Sequence, residues 1–121
     1  MGKLSNLEPR AIWDYFEEIC EVPRPSKNEG RIIQYLLDFA GQHKLESRQD
    51  RAGNVLIKKP ASAGKEHLKT LVLQSHVDMV GEKNKETTHD FENDPIKPYI
   101  DGDWVKAEGT TLGADDGIGV A

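Results

Sequence analysis

The sequence predicts an α/β fold, in which two helices are followed by a mixed sheet with an inserted hairpin. Three observations predict it. Two segments near the start carry apolar residues at helical spacing, a short apolar run follows them as a central strand, and polar turns divide the neighbouring extended segments into hairpins. The chain has 121 residues, which is enough for one domain with a modest core.

The first helix is predicted over residues 7–20. Its apolar side chains recur three and four positions apart, which places them on one buried stripe. They are Ala11, Ile12, Tyr15, Phe16 and Ile19. Pro23 and Pro25 end this helix, because proline lacks an amide donor and restricts the residue before it.

A second helix is predicted to begin at Ser26 and to fade over residues 41–44. Ser26 and Glu29 have the spacing of a capping box, in which each side chain accepts a hydrogen bond from the other residue's backbone amide. An apolar stripe of the same helical spacing follows. It consists of Ile32, Ile33, Leu36, Leu37 and Ala40.

Extended segments come next. Residues 45–50 and 55–58 flank a turn at residues 51–54, which predicts a hairpin. Residues 70–74 form an apolar run, Thr-Leu-Val-Leu-Gln, which predicts a strand that is buried on both faces. This run is the central strand of the expected sheet.

The last third of the chain predicts one more hairpin and one more helix. Residues 96–100 and 104–107 are extended segments around the turn Asp101-Gly-Asp103. A helix is expected to begin at residue 115 and to run to residue 121. The chain thus returns to helical structure after its strands, as an α/β fold requires.

Composition excludes several classes of function. The net charge is −5, from 16 lysines and arginines against 21 acidic residues, which argues against a protein that binds nucleic acid through its phosphates. No run approaches the roughly 20 apolar residues of a membrane span, and the first residues lack a signal peptide. Cys20 is the single cysteine and is expected in the core, which fits a reducing compartment. We therefore expect a cytoplasmic protein that binds neither nucleic acid nor membranes.

His76 and Asp78 are the first candidate site residues. Because side chains alternate along a strand, both would lie on one face if the strand at residues 70–74 continued, at the sheet edge where ligands bind in α/β folds. A neutral imidazole is a good zinc ligand, and a neighbouring carboxylate can orient it. The alternative is a buried, hydrogen-bonded pair with no catalytic role.

Asp115 and Asp116 are the second candidate pair, and they precede Gly117 at the start of the last predicted helix. A carboxylate in this position can bridge two metal ions about 3.5–4 Å apart, as in two-metal hydrolases. A helix cap or turn is the alternative. A phosphate-binding loop is excluded, because no Gly-Lys-Ser/Thr follows the glycines.

Taken together, these motifs resemble the aminoacyl-histidine dipeptidase branch of the M20 metallopeptidase family. The resemblance runs through nearly the whole chain and is weakest at residues 61–69. The matching blocks are CEVPRPS at residues 20–26, LQSHVDMV at 73–80, HDFENDPI at 89–96, PYIDGDWV at 98–105 and EGTTLGADDGIG at 108–119.

The resemblance implies a role for each candidate residue. His76 would be a ligand of one zinc ion, and Asp115 would be the carboxylate that bridges both. Asp78 would be a catalytic residue that supports the metal-bound histidine or the catalytic carboxylate, without binding metal itself. Asp116 would only shape the turn, and a cis peptide would follow Asp115. The cofactor would be two Zn²⁺ ions per full-length active site, with Mn²⁺ or Co²⁺ as alternatives.

The resemblance also implies that residues 1–121 are the N-terminal portion of the metallopeptidase catalytic domain. The general base, the other ligands, the rest of that domain and a smaller second domain would lie beyond Ala121. The full-length enzyme would hydrolyse dipeptides, preferentially Xaa-His, and could form a homodimer, whereas the fragment alone would be inactive. Two alternatives stay open: a related M20 amidohydrolase acting on N-acyl amino acids or other peptides, and a non-catalytic truncated fragment.

Overall fold

The computed structural model describes residues 2–121, and it confirms the α/β class. Its elements are α1 (Arg10–Cys20), α2 (Gly30–Gln42), β1 (Glu46–Gln49), β2 (Val55–Lys58), β3 (Pro98–Asp101), β4 (Trp104–Ala107) and α3 (Ala114–Val120). The chain divides into two compact units, which we call the larger unit (Met1–Ile32 with Ser75–Ala121) and the smaller unit (Ile33–Gln74).

The larger unit has a core assembled from distant parts of the chain. The buried members of this core are Leu4, Phe16, Cys20, Met79 and Ile96. The backbone joins the same regions, because the Ile96 amide donates to the Cys20 carbonyl at 2.9 Å. Burial raises the pKa of the Cys20 thiol to about 12, so this side chain is an inert core residue, as the sequence predicted.

The hairpin of the larger unit is confirmed. β3 and β4 pair antiparallel, with Pro98 opposite Ala107 and Asp101 opposite Trp104. Gly102 occupies the turn with φ of 60°, a left-handed conformation that glycine adopts without steric cost. An ion pair between Lys106 and Asp101 adds a link across the exposed face.

The smaller unit consists of most of α2, the β1–β2 hairpin and the irregular segment that follows it to Gln74. In this hairpin Glu46 lies opposite Lys58 and Gln49 lies opposite Val55, which confirms the predicted pairing. Asp50 closes the turn: its carboxylate accepts hydrogen bonds from the Ala52 amide at 2.9 Å and from the Asn54 backbone and side-chain amides at 2.9 and 2.8 Å. These contacts span at most four residues, so the turn is a local structure.

The prediction of a buried strand at residues 70–74 is wrong. The segment is irregular, and Leu71, Val72 and Leu73 are 80%, 76% and 87% exposed. A strand exists only through hydrogen bonds to another strand, and no part of residues 2–121 pairs with this run. The run has the apolar composition of a buried strand, but composition does not supply a neighbouring strand to pair with.

Two further expectations are corrected. The strands form two separate two-stranded antiparallel sheets, one per hairpin, in place of one mixed sheet. The only parallel pairing in the described chain is the isolated bridge between Pro25 and Met79. The capping box is also wrong, because the Ser26 hydroxyl donates to Asp78 and the Glu29 carboxylate accepts from the Lys27 amide. A tertiary partner outcompetes the local one at Ser26.

Candidate metal centre

The centre begins where two distant segments of the larger unit run side by side. The Met79 amide donates to the Arg24 carbonyl at 3.0 Å, and Pro25 forms a parallel bridge with Met79. This pairing places residues 24–26, directly after α1, alongside residues 77–79. The end of the His76–Asp78 motif is therefore held by backbone hydrogen bonding, although it belongs to no regular strand.

His76 is oriented by Asp78. The imidazole Nδ1 donates to the Asp78 carboxylate oxygen Oδ1 and to the Asp78 backbone carbonyl, both at 3.1 Å. With Nδ1 engaged in this way, the other ring nitrogen points elsewhere. It lies 2.9 Å from the carboxylate oxygen Oδ1 of Asp115, 39 residues along the chain. The two candidate pairs therefore meet at one point.

Asp78 is itself held by Ser26. The Ser26 hydroxyl donates a short hydrogen bond to the Asp78 oxygen Oδ2, while the other carboxylate oxygen accepts from His76. The hydrogen bond from Ser26, assisted by the one from His76, lowers the pKa of Asp78. Asp78 is therefore an ionised acceptor whose two oxygens are both used in orienting neighbours.

Asp115 reaches the centre from the start of α3. The preceding Gly113 has φ of 75°, and the peptide between Asp115 and Asp116 is cis, as the resemblance implied. The Asp115 side chain is 95% exposed, and its contact with His76 is the main reason why the pKa of that imidazole is raised. The Asp116 carboxylate lies against Gly119, where an added Cβ would overlap it.

The donor set fits part of a metal site. The imidazole nitrogen of His76 and the carboxylate oxygen of Asp115 lie at hydrogen-bonding distance. Both side chains, together with Asp78, line a cavity of about 490 Å³. Nitrogen and oxygen donors of these types are the ones that zinc accepts from histidine and aspartate. Within residues 2–121, however, no group of three or more histidine, cysteine, aspartate or glutamate side chains is arranged to hold a metal ion. Two donors alone do not complete a site.

Sequence reasoning missed two residues that shape this centre. Ser26 was assigned to a helix cap, and Arg24 was not singled out at all. Arg24 is 2% exposed, and its guanidinium donates to backbone carbonyls on both sides of the centre. The only sequence signal was their position beside prolines: Arg24 lies between Pro23 and Pro25, and Ser26 follows Pro25. Both lie outside any helix or strand, where a side chain can hydrogen-bond to residues far away in sequence.

Comparison with known proteins places this arrangement in context. The chain is 53% identical over all 121 residues to the cytosol non-specific dipeptidase of Escherichia coli strain K12. It also matches the crystal structure of aminoacylhistidine dipeptidase from Vibrio alginolyticus, with a TM-score of 0.95 and 52% identity over 98% of this chain. Along nearly its whole length, this chain is therefore similar to these two dipeptidases. The resemblance inferred from its motifs is confirmed.

The homology covers only part of those dipeptidases. The chain spans about a quarter of each of them, namely 25% of the Escherichia coli protein and 24% of the Vibrio alginolyticus chain. No model of a protein family matches the chain. Among the described residues, none of the helices combines the length and the apolar character needed to cross a membrane.

Proposed function

We propose that this chain is the N-terminal portion of the catalytic domain of a metal-dependent dipeptidase. The observation that carries the proposal is the contact at 2.9 Å between His76 Nε2 and Asp115 Oδ1, with Asp78 orienting the imidazole from its other side. Carboxylate–histidine pairs of this kind orient metal ligands in hydrolases. The homologous proteins named above carry dipeptidase in their names, which supports the same reaction.

In this proposal each residue has one task. His76 would hold one zinc ion through Nε2, and Asp115 would hold both zinc ions through its exposed carboxylate. Asp78 binds no metal; it keeps the proton on Nδ1, so that the lone pair of Nε2 is available to zinc. When bound, two zinc ions supply Lewis-acid activation of water and of the scissile carbonyl. Mn²⁺ or Co²⁺ are alternative occupants of the same donors.

The rest of the catalytic machinery would lie beyond Ala121. It comprises a glutamate general base, the remaining ligands and a smaller second domain. The relatives are about four times as long as this chain, and the described residues offer only two converging donors, which supports this proposal. The exposed apolar run at residues 70–74 also supports it, because such a run is suited to the interior of a larger sheet. We further propose a cytoplasmic location and leave open a homodimer of the complete protein.

The preferred substrate in this proposal is a dipeptide of the Xaa-His type. A related amidohydrolase that acts on N-acyl amino acids or on other peptides is the second candidate. The dipeptidase is favoured because both matched relatives are named as dipeptidases and one as an aminoacylhistidine dipeptidase. Comparing kcat/KM for Xaa-His dipeptides and N-acyl amino acids on the complete protein separates the two, and faster hydrolysis of the N-acyl substrate would reverse the choice.

Substitutions in the complete protein test the residue roles. We expect His76→Ala and Asp115→Ala to lose bound metal, measured by elemental analysis, together with activity. Asp78→Ala should retain much of its metal and lose about 10–100-fold in turnover, which is the usual effect of removing a carboxylate that orients a ligand histidine. A fully active Asp78→Ala variant would remove Asp78 from the mechanism.

The isolated 121-residue chain tests whether residues outside it are required for activity. It should show no dipeptidase activity with added zinc, because its described residues hold no group of three metal ligands and, in this proposal, the general base lies elsewhere in the complete protein. Turnover at a rate typical of enzymes, in the range of about 1–10³ per second, would refute the proposal that the missing residues are required.

A further inference from the structure

We propose that Arg24 is a positioning residue of this metal centre, whose guanidinium sets the spacing between the His76–Asp78 segment and the Asp115 segment. The inference rests on the proposed function. It goes beyond that function because Arg24 touches neither the donor atoms nor the cavity they face. Arg24 instead acts on the backbone that carries those donors.

The guanidinium joins the two segments directly. Its Nη1 donates to the carbonyls of Val77 and Asp78, at 3.1 and 3.4 Å, and both residues belong to the His76–Asp78 motif. Its Nη2 donates to the carbonyl of Gly113 at 2.8 Å, two residues before Asp115. One rigid, planar group therefore connects two segments that are far apart in sequence.

The burial of Arg24 indicates a geometric role. Arg24 is the only polar or charged residue among the buried side chains of the described chain, and burial lowers the pKa of its guanidinium. None of the ion pairs in residues 2–121 includes it, and its Nε is buried without a hydrogen-bond partner. Burying a charge in this way is unfavourable, and an apolar side chain of similar volume would stabilise such a core better. What an apolar side chain cannot do is hold three carbonyls at once.

The surrounding glycines leave room for this group. A Cβ added at Gly113 or at Gly117 would lie 2.7 Å from Nη2 of Arg24, which is closer than real Cβ contacts. Both positions flank Asp115 in the sequence. The turn that presents Asp115 is therefore fitted around the guanidinium, so a displacement of Arg24 would move the bridging carboxylate relative to His76.

Lysine provides the sharpest test, because it keeps the positive charge and most of the aliphatic stem. Its single ammonium is a point donor and cannot reproduce the planar fork that reaches both segments. Arg24→Lys should therefore release one segment from the other without deleting the side chain. Arg10→Lys is the matched control, since Arg10 is exposed on α1 and pairs only with Asp14.

The experiment uses the complete protein. We measure zinc affinity by competition with a chelator, kcat and KM for a dipeptide, thermal stability, and the visible absorption spectrum of the Co²⁺-substituted protein. Arg24→Lys should weaken zinc binding and lower kcat by about 10–100-fold each, the range found for groups that position metal ligands. KM should change less than kcat, and the cobalt spectrum should shift. Arg10→Lys should match the unsubstituted protein in all four measurements.

Two results would overturn the inference. One is an Arg24→Lys protein with unchanged zinc affinity and an unchanged cobalt spectrum. The other is a loss of activity that is fully accounted for by the unfolded fraction. If the lysine variant does not fold, Gly117→Ala takes its place, because it retains Arg24 and crowds the guanidinium; normal zinc affinity in that folded variant would contradict the proposal.

Failure of the proposed function has a different signature. If the complete, unsubstituted protein bound zinc but hydrolysed no dipeptide, the dipeptidase proposal would fail. The zinc affinity and cobalt spectrum of Arg24→Lys would still decide whether Arg24 positions the ligands. If the unsubstituted protein bound no zinc at all, both proposals would fall together.

Discussion

The two units of the chain differ in how far apart in sequence their stabilising contacts reach. In the larger unit, Arg24 contacts Gly113 across 89 positions and His76 contacts Asp115 across 39. In the smaller unit, the side-chain hydrogen bonds of Asp50 reach at most four positions. The two units also differ in net charge. Residues 33–74 carry seven lysines and arginines against four acidic residues, so the smaller unit is positive, whereas the remaining residues carry nine against 17, so the larger unit is negative.

Because of this difference, the candidate metal centre depends on the tertiary fold of the larger unit and not on local structure. The smaller unit forms from a helix and a hairpin that each follow from their own sequence. The metal centre forms only after segments around residues 24, 78 and 115 meet. A substitution in the larger unit should therefore affect both stability and site, and an equivalent one in the smaller unit should affect neither strongly.

The largest expected effect comes from the shared core. Phe16 is fully buried in the larger unit, so Phe16→Ala should lower the free energy of unfolding by about 3–5 kcal/mol. Leu56→Ala in β2 is the matched change in the smaller unit, where the leucine is 61% exposed, and should cost less than about 1 kcal/mol. Urea denaturation of the complete protein measures both. Equal losses would abolish the distinction between the units.

The next effect compares two glycines with left-handed backbones. Gly113→Ala should cost about 2–4 kcal/mol, because it adds a strained φ and a Cβ that would press on Arg24 and on Met79 at 2.8 Å. Gly64→Ala has a similar φ of 79° but nothing within 4 Å of the new Cβ, so about 1 kcal/mol is expected. Thermal unfolding and zinc content check both variants. If Gly64→Ala lost as much stability as Gly113→Ala, the positive φ alone, and not the contacts of the new Cβ, would account for the cost.

A smaller effect on stability, with a clear effect on activity, is expected at Ser26. Ser26→Ala removes the hydrogen bond to Asp78 and should lower dipeptide turnover about tenfold, since Asp78 is then free to leave His76. The cost in stability should be about 1 kcal/mol. Ser62→Ala, at an exposed serine of the smaller unit, is the control and should change neither quantity. If turnover of the two variants is equal, Ser26 has no part in positioning Asp78.

The smallest effect is a pH dependence confined to the β1–β2 turn. The side-chain hydrogen bond from Asn54 is the main cause that lowers the pKa of Asp50 in the folded turn. The ionised carboxylate therefore stabilises the turn fully above the ordinary pKa of 3.8, and this contribution is lost as the pH falls through the lowered value.

Amide hydrogen exchange at Ala52 and Asn54 measures this contribution. Protection of these amides, which is the ratio of the intrinsic to the observed exchange rate, should fall as the pH drops below 3.8, and Asp50→Asn should remove that dependence. The metal centre should not respond to this substitution. A change in zinc affinity in Asp50→Asn would show that the two units are coupled.

Much of the fold followed from short-range sequence signals. The spacing of apolar residues located α1 and α2, and turn residues located both hairpins, with β2 and β4 predicted to the residue. His76, Asp78 and Asp115 were candidates from their residue types and local positions, but only the motif resemblance joined them in one site, since nothing local states that residues 39 positions apart will meet. Their roles as site residues stay a prediction. The cis peptide after Asp115 was foreseen from the same resemblance.

What failed had a common cause. The run at residues 70–74 has the composition of a strand, yet it is irregular, because strand structure needs a neighbour that residues 2–121 do not supply. Ser26 has the spacing of a helix cap, yet its hydroxyl donates to Asp78, 52 positions away. In each case the tertiary structure decided the outcome. Residues 70–74 have no neighbouring strand to pair with, and Ser26 has a distant acceptor that replaces the helix start.

By itself, therefore, the sequence determined the helices, the hairpins and the chemical identity of the candidate ligands, because these depend on neighbours within a few positions. The tertiary structure alone decided that His76 and Asp115 face each other, that Ser26 serves Asp78, and that a buried Arg24 links their backbones. The physical reason is that a guanidinium or hydroxyl donates to whichever acceptor the folded chain brings within about 3 Å, and sequence distance does not enter that choice.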